Sequence, residues 1–370
     1  MNHAEPYHES APLSIEDLDV SGPGPGQVLV EVAAAGLCHS DLSVINGSRP
    51  RAMPMVLGHE ASGIVRETGP GVRDLSPGDH IIFSYMPACG YCLYCATGRP
   101  ALCENGAKAN ASGTLLDGKR HFKNSSGQEL HHHLGVSAFS QYTVVAQESV
   151  VRIDRDLRLD IAALFGCAVM TGVGAVLNTA QVEAGASVAI FGLGGVGLSA
   201  LLGAAAAGAN PIIAVDSLPS KLELAKSLGA TARVLAGTEE TASAIRDLSQ
   251  GGADYVFECV GNEKALIQAY QVTRRGGTTI TVGLAAPDRQ FTIPAVSLVT
   301  EERTVKGSYM GSAVPKRDIP RFISMYRAGR LPVDCLLSRT IALEDLNPAF
   351  DALHRGEVVR QVVRFANSTA

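Results

Sequence analysis

The sequence carries no excess of positive charge. Its formal net charge is −5, which removes the electrostatic case for a nucleic-acid or anionic-membrane partner. It has no leader-like start: the first twenty residues include Glu5, Glu9, Glu16, Asp17 and Asp19, where a secretory signal needs a basic patch and an apolar run. The apolar run around 196–209 is too short and too glycine-rich to cross a bilayer. There is no internal repeat and no low-complexity tract. The expected location is therefore the cytoplasm, a reducing compartment in which eight cysteines are metal-bound or buried thiols, not disulfides.

What is present is a chain of 370 residues, 46% hydrophobic, with 39 glycines. That length suits about two domains, each with its own core. Cys89, Cys92, Cys95 and Cys103 are spaced C-x2-C-x2-C-x7-C. Four thiolates that close satisfy a tetrahedral Zn²⁺ unaided, and a closed set holds a loop without doing chemistry. Two disulfides are disfavoured by compartment and by crowding. An iron–sulfur cluster is disfavoured by the late fourth cysteine, which no proline follows.

The first third reads as β-rich. Residues 27–34 (QVLVEVAA) alternate apolar and polar, and 63–67, 80–83 and 142–145 look similar, with turns such as Ser76-Pro77-Gly78-Asp79 between. Residues 104–135 read as a long polar loop with short pieces of structure. From about Gly166 the pattern changes. Apolar runs at 187–191, 211–215, 254–257 and 278–282 alternate with helical stretches at 196–207 and 221–228, the sign of βαβ units around a parallel sheet. After about Tyr309 this stops, leaving helices near 318–328 and 344–355 and a last strand at 361–365. The expected organisation is a β-rich domain over 1–168 and 310–370, interrupted by a doubly wound domain over 169–309.

Residues 187–197 read SVAIFGLGGVG. A strand runs into Gly192, Gly194 and Gly197, a helix follows, and the next strand ends at Asp216, 24 residues after Gly192. This context makes the G-x-G-x-x-G pattern a dinucleotide fingerprint. The glycines allow the turn, the approach of a pyrophosphate and close helix–sheet packing. The helix N-terminus, including Gly195 and Val196, attracts phosphate. Asp216 is placed for the adenosine ribose hydroxyls and disfavours a 2′-phosphate, so NAD is expected over NADP. Lys221 either reaches that ribose or is solvated.

Three further stretches are informative in combination. They are CHSD at 38–41, GHE at 58–60 and GC at 166–167, joined by FSQYTVV at 139–145 and VRQVVRF at 359–365. With the cysteine lobe at 89–103 and GLGGVG at 192–197, they make the chain resemble the zinc-dependent alcohol dehydrogenases of the medium-chain dehydrogenase/reductase family, over essentially its full length. The resemblance implies an α/β fold: a GroES-like catalytic domain plus a Rossmann-type doubly wound sheet. It implies Cys38, His59 and Cys167 as ligands of a catalytic zinc with an open fourth position, and so two zincs per chain. It implies Asp41 as the carboxylate orienting the zinc histidine, Glu60 as a glutamate behind the metal, and Ser40 as the hydroxyl that takes the substrate proton. His39, Arg360 and Val282 are implied at the cofactor, the first two at its pyrophosphate. Tyr85 and Phe139 are implied at the substrate pocket. The activity implied is reversible oxidation of a primary or secondary alcohol to an aldehyde or ketone, with hydride transfer to NAD, by a homodimer pairing edge strands near 300–309.

The chain departs from that pattern in places. Ser43 stands where many members carry a relay histidine, and His39 where arginine is common. In the S-(hydroxymethyl)glutathione dehydrogenase branch, an arginine for the glutathione carboxylate falls four residues after the last lobe cysteine. Ala107 is there instead. That activity is the first alternative, and a non-catalytic, zinc-stabilised NAD-binding protein is the second. Cys259 reads as core and Cys335 as unassigned. His131-His132-His133 is discounted as a ligand set.

Overall fold

The structure is a computed structural model and describes residues 13–365. Glu5 and Glu9, cited above against a leader, lie outside those residues. The chain divides into two compact units. One comprises the chain up to Cys167, Val314–Arg321, and the segment from Leu337 onward. The other comprises Ala168–Ala313 and Phe322–Leu336.

The second unit holds six parallel strands, numbered here along the chain: β1 Val188–Phe191, β2 Ile212–Asp216, β3 Ala232–Leu235, β4 Ala253–Glu258, β5 Thr273–Thr281 and β6 Thr304–Gly307. Their order is β3-β2-β1-β4-β5-β6. This is the doubly wound order in which the ligand crevice opens at the carboxyl ends of β1 and β4. Helices cover both faces, so β1 is fully apolar and not alternating: Val188, Ala189 and Ile190 have no exposure. Phe191, Ile213, Val215, Val256 and Ala269 form one core cluster.

Phe322–Leu336 groups with this unit, where the sequence reading placed it with the first. Leu331, Val333 and Leu336 are buried. The turn Val333–Leu336 packs on helix Gly195–Ala207, and Arg330 Nη2 donates to the Ala206 carbonyl at 3.1 Å. Isolated apolar residues in a short turn carry no periodicity to announce this.

The first unit is built on a seven-stranded sheet. Its main path runs Leu337–Ile341, Arg360–Arg364, Gln27–Gly36, Glu60–Thr68, His80–Phe83 and Val150–Ile153, with Tyr142–Ala146 paired to Gln27–Gly36. A smaller four-stranded sheet joins Asp19–Val20, Phe122–Lys123, Glu129–His132 and Met55–Val56. Gln27–Gly36 is partnered along both edges. Its alternation predicts one wet face, but even Gln27 and Glu31 are buried, and Glu31 pairs with Arg66.

Two helical features differ from the expectation. Within 104–135, Glu104–Ser112 is a nine-residue helix, followed by the two short strands. Its three alanines favour helix, but its cap is the Cys103 sulfur, which accepts from the Gly106 amide at 3.3 Å. Leu159–Ala180 is a continuous apolar helix long enough by composition to cross a membrane, but 94% of its apolar window is buried inside the protein. It outruns the 196–209 stretch. Two of its segments, Phe165–Val169 and Ala175–Ala180, are wound as π-helix.

Candidate active site

Cys38 sits at the start of the short helix His39–Ile45, His59 immediately before strand Glu60–Thr68, and Cys167 on the π-helical turn Phe165–Val169. Such π-turns are frequent at functional sites because they re-aim one side chain. All three residues are buried, and one ligand atom from each lies within 4.8 Å of the others. A tetrahedral zinc held by two thiolates and one imidazole has donor–donor edges of about 3.5–3.8 Å, so the set fits the metal.

Electrostatics support the same fit. The two thiols interact directly: the Cys167 thiol donates to Cys38, and Arg360 and His59 add positive charge, which together hold Cys38 well below its usual range. Cys167 is pushed well up by its bond to Cys38 and by burial. The two sulfurs share a proton, and a dication is its natural replacement.

Asp41 is wholly buried. Its Oδ1 accepts from His59 Nδ1 at 3.1 Å and from the Gly58 amide at 3.1 Å, and its Oδ2 accepts from the Cys38 amide at 3.3 Å. Burial pushes this carboxyl up, but His59 and His133 outweigh burial and hold it far below the carboxylate range. Asp41 is therefore an anion that only accepts. It fixes one His59 proton on Nδ1 and, although burial pushes the ring down, holds it together with Cys38 well above its usual range, so Nε2 is the nitrogen whose proton a metal would replace.

Arg360 lies on the other side of Cys38. It is 2% exposed, donates from Nη1 to the Leu37 carbonyl at 3.2 Å, approaches Cys38 Sγ at 4.0 Å and pairs through Nε with Glu60 Oε1 at 3.3 Å. Arg360 and Glu60 thus lie together beside Cys38. Tyr85 presents its ring edge to His59 at 5.5 Å between centroids. Phe139 packs its ring on Phe350 at 5.9 Å between centroids, and its amide donates to the Leu57 carbonyl at 3.0 Å. His39 is exposed and Ser40 half-buried, both on the first turn after Cys38. Ser43 spends its hydroxyl on the His39 carbonyl at 2.8 Å.

The histidine tract separates into three environments. His131 Nδ1 lies 3.3 Å from the Ser112 carbonyl at the surface. His132 Nε2 accepts from the His121 amide at 3.2 Å. His133, discounted from sequence, is buried with Nδ1 at 3.1 Å from Asp41 Oδ1 and its ring edge-on to His59. Strand alternation through Glu129–His132 is the signal that separates neighbouring histidines. Nothing local marks His133 as the one that meets Asp41.

The four lobe cysteines also lie within 4.8 Å of one another by their sulfurs. The Cys89 sulfur accepts from the Cys92 amide at 3.4 Å and from Asn105 Nδ2 at 3.3 Å; Cys103 accepts from the Cys89 and Gly106 amides, both at 3.3 Å. Burial works against Cys89, yet hydrogen bonds from Tyr91, Asn105 and Cys92 lower it to about 6. Burial and the neighbouring thiols push Cys95 up to about 12. Amide-solvated sulfurs that still share protons suit a structural zinc.

In the second unit, β1 ends at Phe191 and Gly192 turns the chain at φ +85°. A Cβ on Gly197 would fall 1.7 Å from the Gly192 carbonyl oxygen, whereas one on Gly194 would meet no protein atom within 4 Å. The loop is closed on one side and open on the other, as a pyrophosphate cradle requires. Gly195 and Val196 begin the helix beyond it. Asp216 ends β2 and accepts from the Leu193 amide at 2.6 Å and the Leu218 amide at 2.9 Å. The carboxylate is clamped beside the glycine turn with lone pairs left over for a diol. Lys221, on the helix that follows β2, is 7% exposed. Val282 is buried next to β5, its amide donating to the Glu258 carbonyl at 2.8 Å.

Two family models match the chain: the alcohol dehydrogenase GroES-like domain over residues 24–155 and the zinc-binding dehydrogenase over residues 195–327. The chain belongs to this family. The S-(hydroxymethyl)glutathione dehydrogenase of Paracoccus denitrificans is 38% identical over 363 residues, covering 96% of each chain. Among solved structures, an alcohol dehydrogenase zinc-binding domain protein from Burkholderia ambifaria is 35% identical with a TM-score of 0.93, and benzyl alcohol dehydrogenase from Acinetobacter calcoaceticus is 33% identical with a TM-score of 0.90; each comparison covers 98% of both chains. The chain is a zinc alcohol dehydrogenase whose cofactors are zinc and NAD, and its two cysteine-bearing groups could each hold a metal ion.

Proposed function

We propose that this dehydrogenase oxidises an alcohol reversibly at Cys38, His59 and Cys167. The observation that carries this reading is the buried three-donor set with its histidine aimed by Asp41. Three donors leave a tetrahedral position for substrate oxygen, where a closed site leaves none. When bound, zinc supplies Lewis acidity to an alcohol oxygen and NAD supplies the hydride acceptor. The chain does the rest. Asp41 keeps His59 in one tautomer. Arg360 offsets thiolate charge beside Cys38. Ser40, half-buried on the turn after Cys38, receives the hydroxyl proton. Ser43, bonded to its own helix, does not extend that path.

For the substrate, the curated relative named above favours S-(hydroxymethyl)glutathione, the adduct of formaldehyde and glutathione. A benzylic alcohol is the second reading, favoured by Tyr85 against His59 and by the resemblance to benzyl alcohol dehydrogenase. Ala107, on the helix after the lobe, provides no carboxylate partner for glutathione, so recognition of the peptide falls to other residues. The assay is NAD reduction with formaldehyde, with and without glutathione, beside benzyl alcohol. Turnover requiring glutathione supports the first reading. Faster turnover of benzyl alcohol supports the second, and no turnover of any alcohol refutes the function.

The reading extends to a homodimer in a reducing cytoplasm. Strand β6 is the exposed edge of its sheet, and Val296, Val299 and Val305 are exposed near it. Pairing two such edges removes open strand and apolar surface together. Light scattering at the mass of two chains is expected. The mass of one chain or of four would refute the dimer.

A further inference from the structure

Asp41 is approached by two imidazoles, and only one of them belongs to the ligand set. His59 Nδ1 and His133 Nδ1 each lie 3.1 Å from the same oxygen, Oδ1. The three ligand-type atoms of Asp41, His59 and His133 fall within 4.8 Å of one another. An ionised carboxylate has no proton to give, so both nitrogens carry N–H. The carboxylate does not depend on His133 for its position, because the Cys38 and Gly58 amides anchor it from the backbone. His133 is itself held from behind, its amide donating to Ser137 Oγ at 2.9 Å. The two contacts are unequal. His59 makes a hydrogen bond to Oδ1, whereas His133 Nδ1, at the same distance, is an ion-pair contact that falls short of hydrogen-bond geometry.

We infer that His133 is a positioning residue that tempers the catalytic metal ligand by competing with His59 for the charge of Asp41. A carboxylate behind a metal-bound imidazole raises its donor strength. A second N–H on the same oxygen draws part of that charge away. The imidazole of His59 then donates less, and the metal held by Cys38, His59 and Cys167 stays a stronger Lewis acid. A purely geometric role for His133 predicts the opposite result, because loss of a support loosens the ligand.

The inference rests on the metal reading of Cys38, His59 and Cys167, and its test separates the two. Zinc release from the full-length, zinc-loaded protein to a colorimetric chelator should show two phases, with Cys38→Ser removing the catalytic one and leaving the lobe phase. His133→Phe keeps a ring but removes the N–H. It should slow the catalytic phase by about three- to tenfold, below the ~10–100-fold effect of losing a direct partner, and leave the lobe phase unchanged. It should lower kcat more than it changes KM. His133→Asn returns an N–H near the Nδ1 position and should restore both release rate and kcat. Unchanged or faster catalytic release in a folded His133→Phe protein overturns the inference. A wild-type protein with lobe zinc alone overturns the site reading, and the inference with it.

Discussion

At the scale of single residues, Asp216 and Ser40 carry the sharpest expectations. The Asp216 carboxylate is clamped by the Leu193 and Leu218 amides, so it cannot turn away from a bound ribose. A 2′-phosphate there meets a fixed negative charge. At ~4 Å and an effective dielectric of ~20, that repulsion is about 4 kcal/mol per pair of unit charges, at least a hundredfold in affinity. Asp216→Gly should weaken NAD and admit NADP, mostly through KM. The check is kcat/KM for both cofactors in both proteins, and an unchanged ratio refutes the assignment. Ser40→Ala should cost alcohol oxidation about 10²–10⁴, the range of a proton-transfer residue. Ser43→Ala should cost far less, since its hydroxyl already serves the His39 carbonyl. Equal losses at the two positions would place Ser43 in the path.

At the scale of elements, the cysteine lobe is joined to Tyr85, the ring beside His59, by one helix. Cys103 caps Glu104–Ser112, and on that helix Asn110 donates to the Tyr85 carbonyl at 2.8 Å. Tyr85 in turn stands edge-on to His59. If Tyr85 lines the proposed substrate pocket, Asn110→Ala should raise KM for aromatic alcohols several-fold while both zincs stay bound, because it releases the Tyr85 backbone and no metal ligand. Metal analysis beside steady-state kinetics checks this; an unchanged KM refutes the coupling. Cys95→Ser should instead lower soluble yield and lobe zinc together. These elements also show what a sequence reveals. The lobe spacing, the strand-to-glycine turn and Asp216 are local patterns, and each sits in the structure where its pattern puts it. The helix capped by a sulfur, the π-turn under Cys167 and the close approach of His133 to Asp41 are not local. They depend on which distant segments pack together, and neither propensity nor periodicity encodes that. Cys38, His59 and Cys167 were joined by family resemblance alone, since 129 residues separate the first from the last.

At the scale of the whole molecule, stability should fall in mild acid for a reason unconnected with the metals. His132 is fully buried in the small four-stranded sheet, and its Nε2 already accepts from the His121 amide. Burial first, then the positive charge of His121, Arg120 and His131, lowers it from 6.5 to about 3. Between those values the unfolded chain binds a proton that the folded chain refuses. Stability therefore rises with pH across this window. The contribution is fully present above about 6.5 and is lost progressively as pH falls toward 3. At pH 5 the loss is about 2 kcal/mol, at 1.36 kcal/mol per pH unit below the unfolded value. Acid also strips zinc, so wild type alone cannot isolate this group. His132→Gln keeps an acceptor for the His121 amide and removes the titrating ring, while both metal sites remain. Urea midpoints at pH 7 and pH 5 should fall less in His132→Gln than in wild type. Parallel losses in the two proteins would show that His132 contributes nothing to the acid limit.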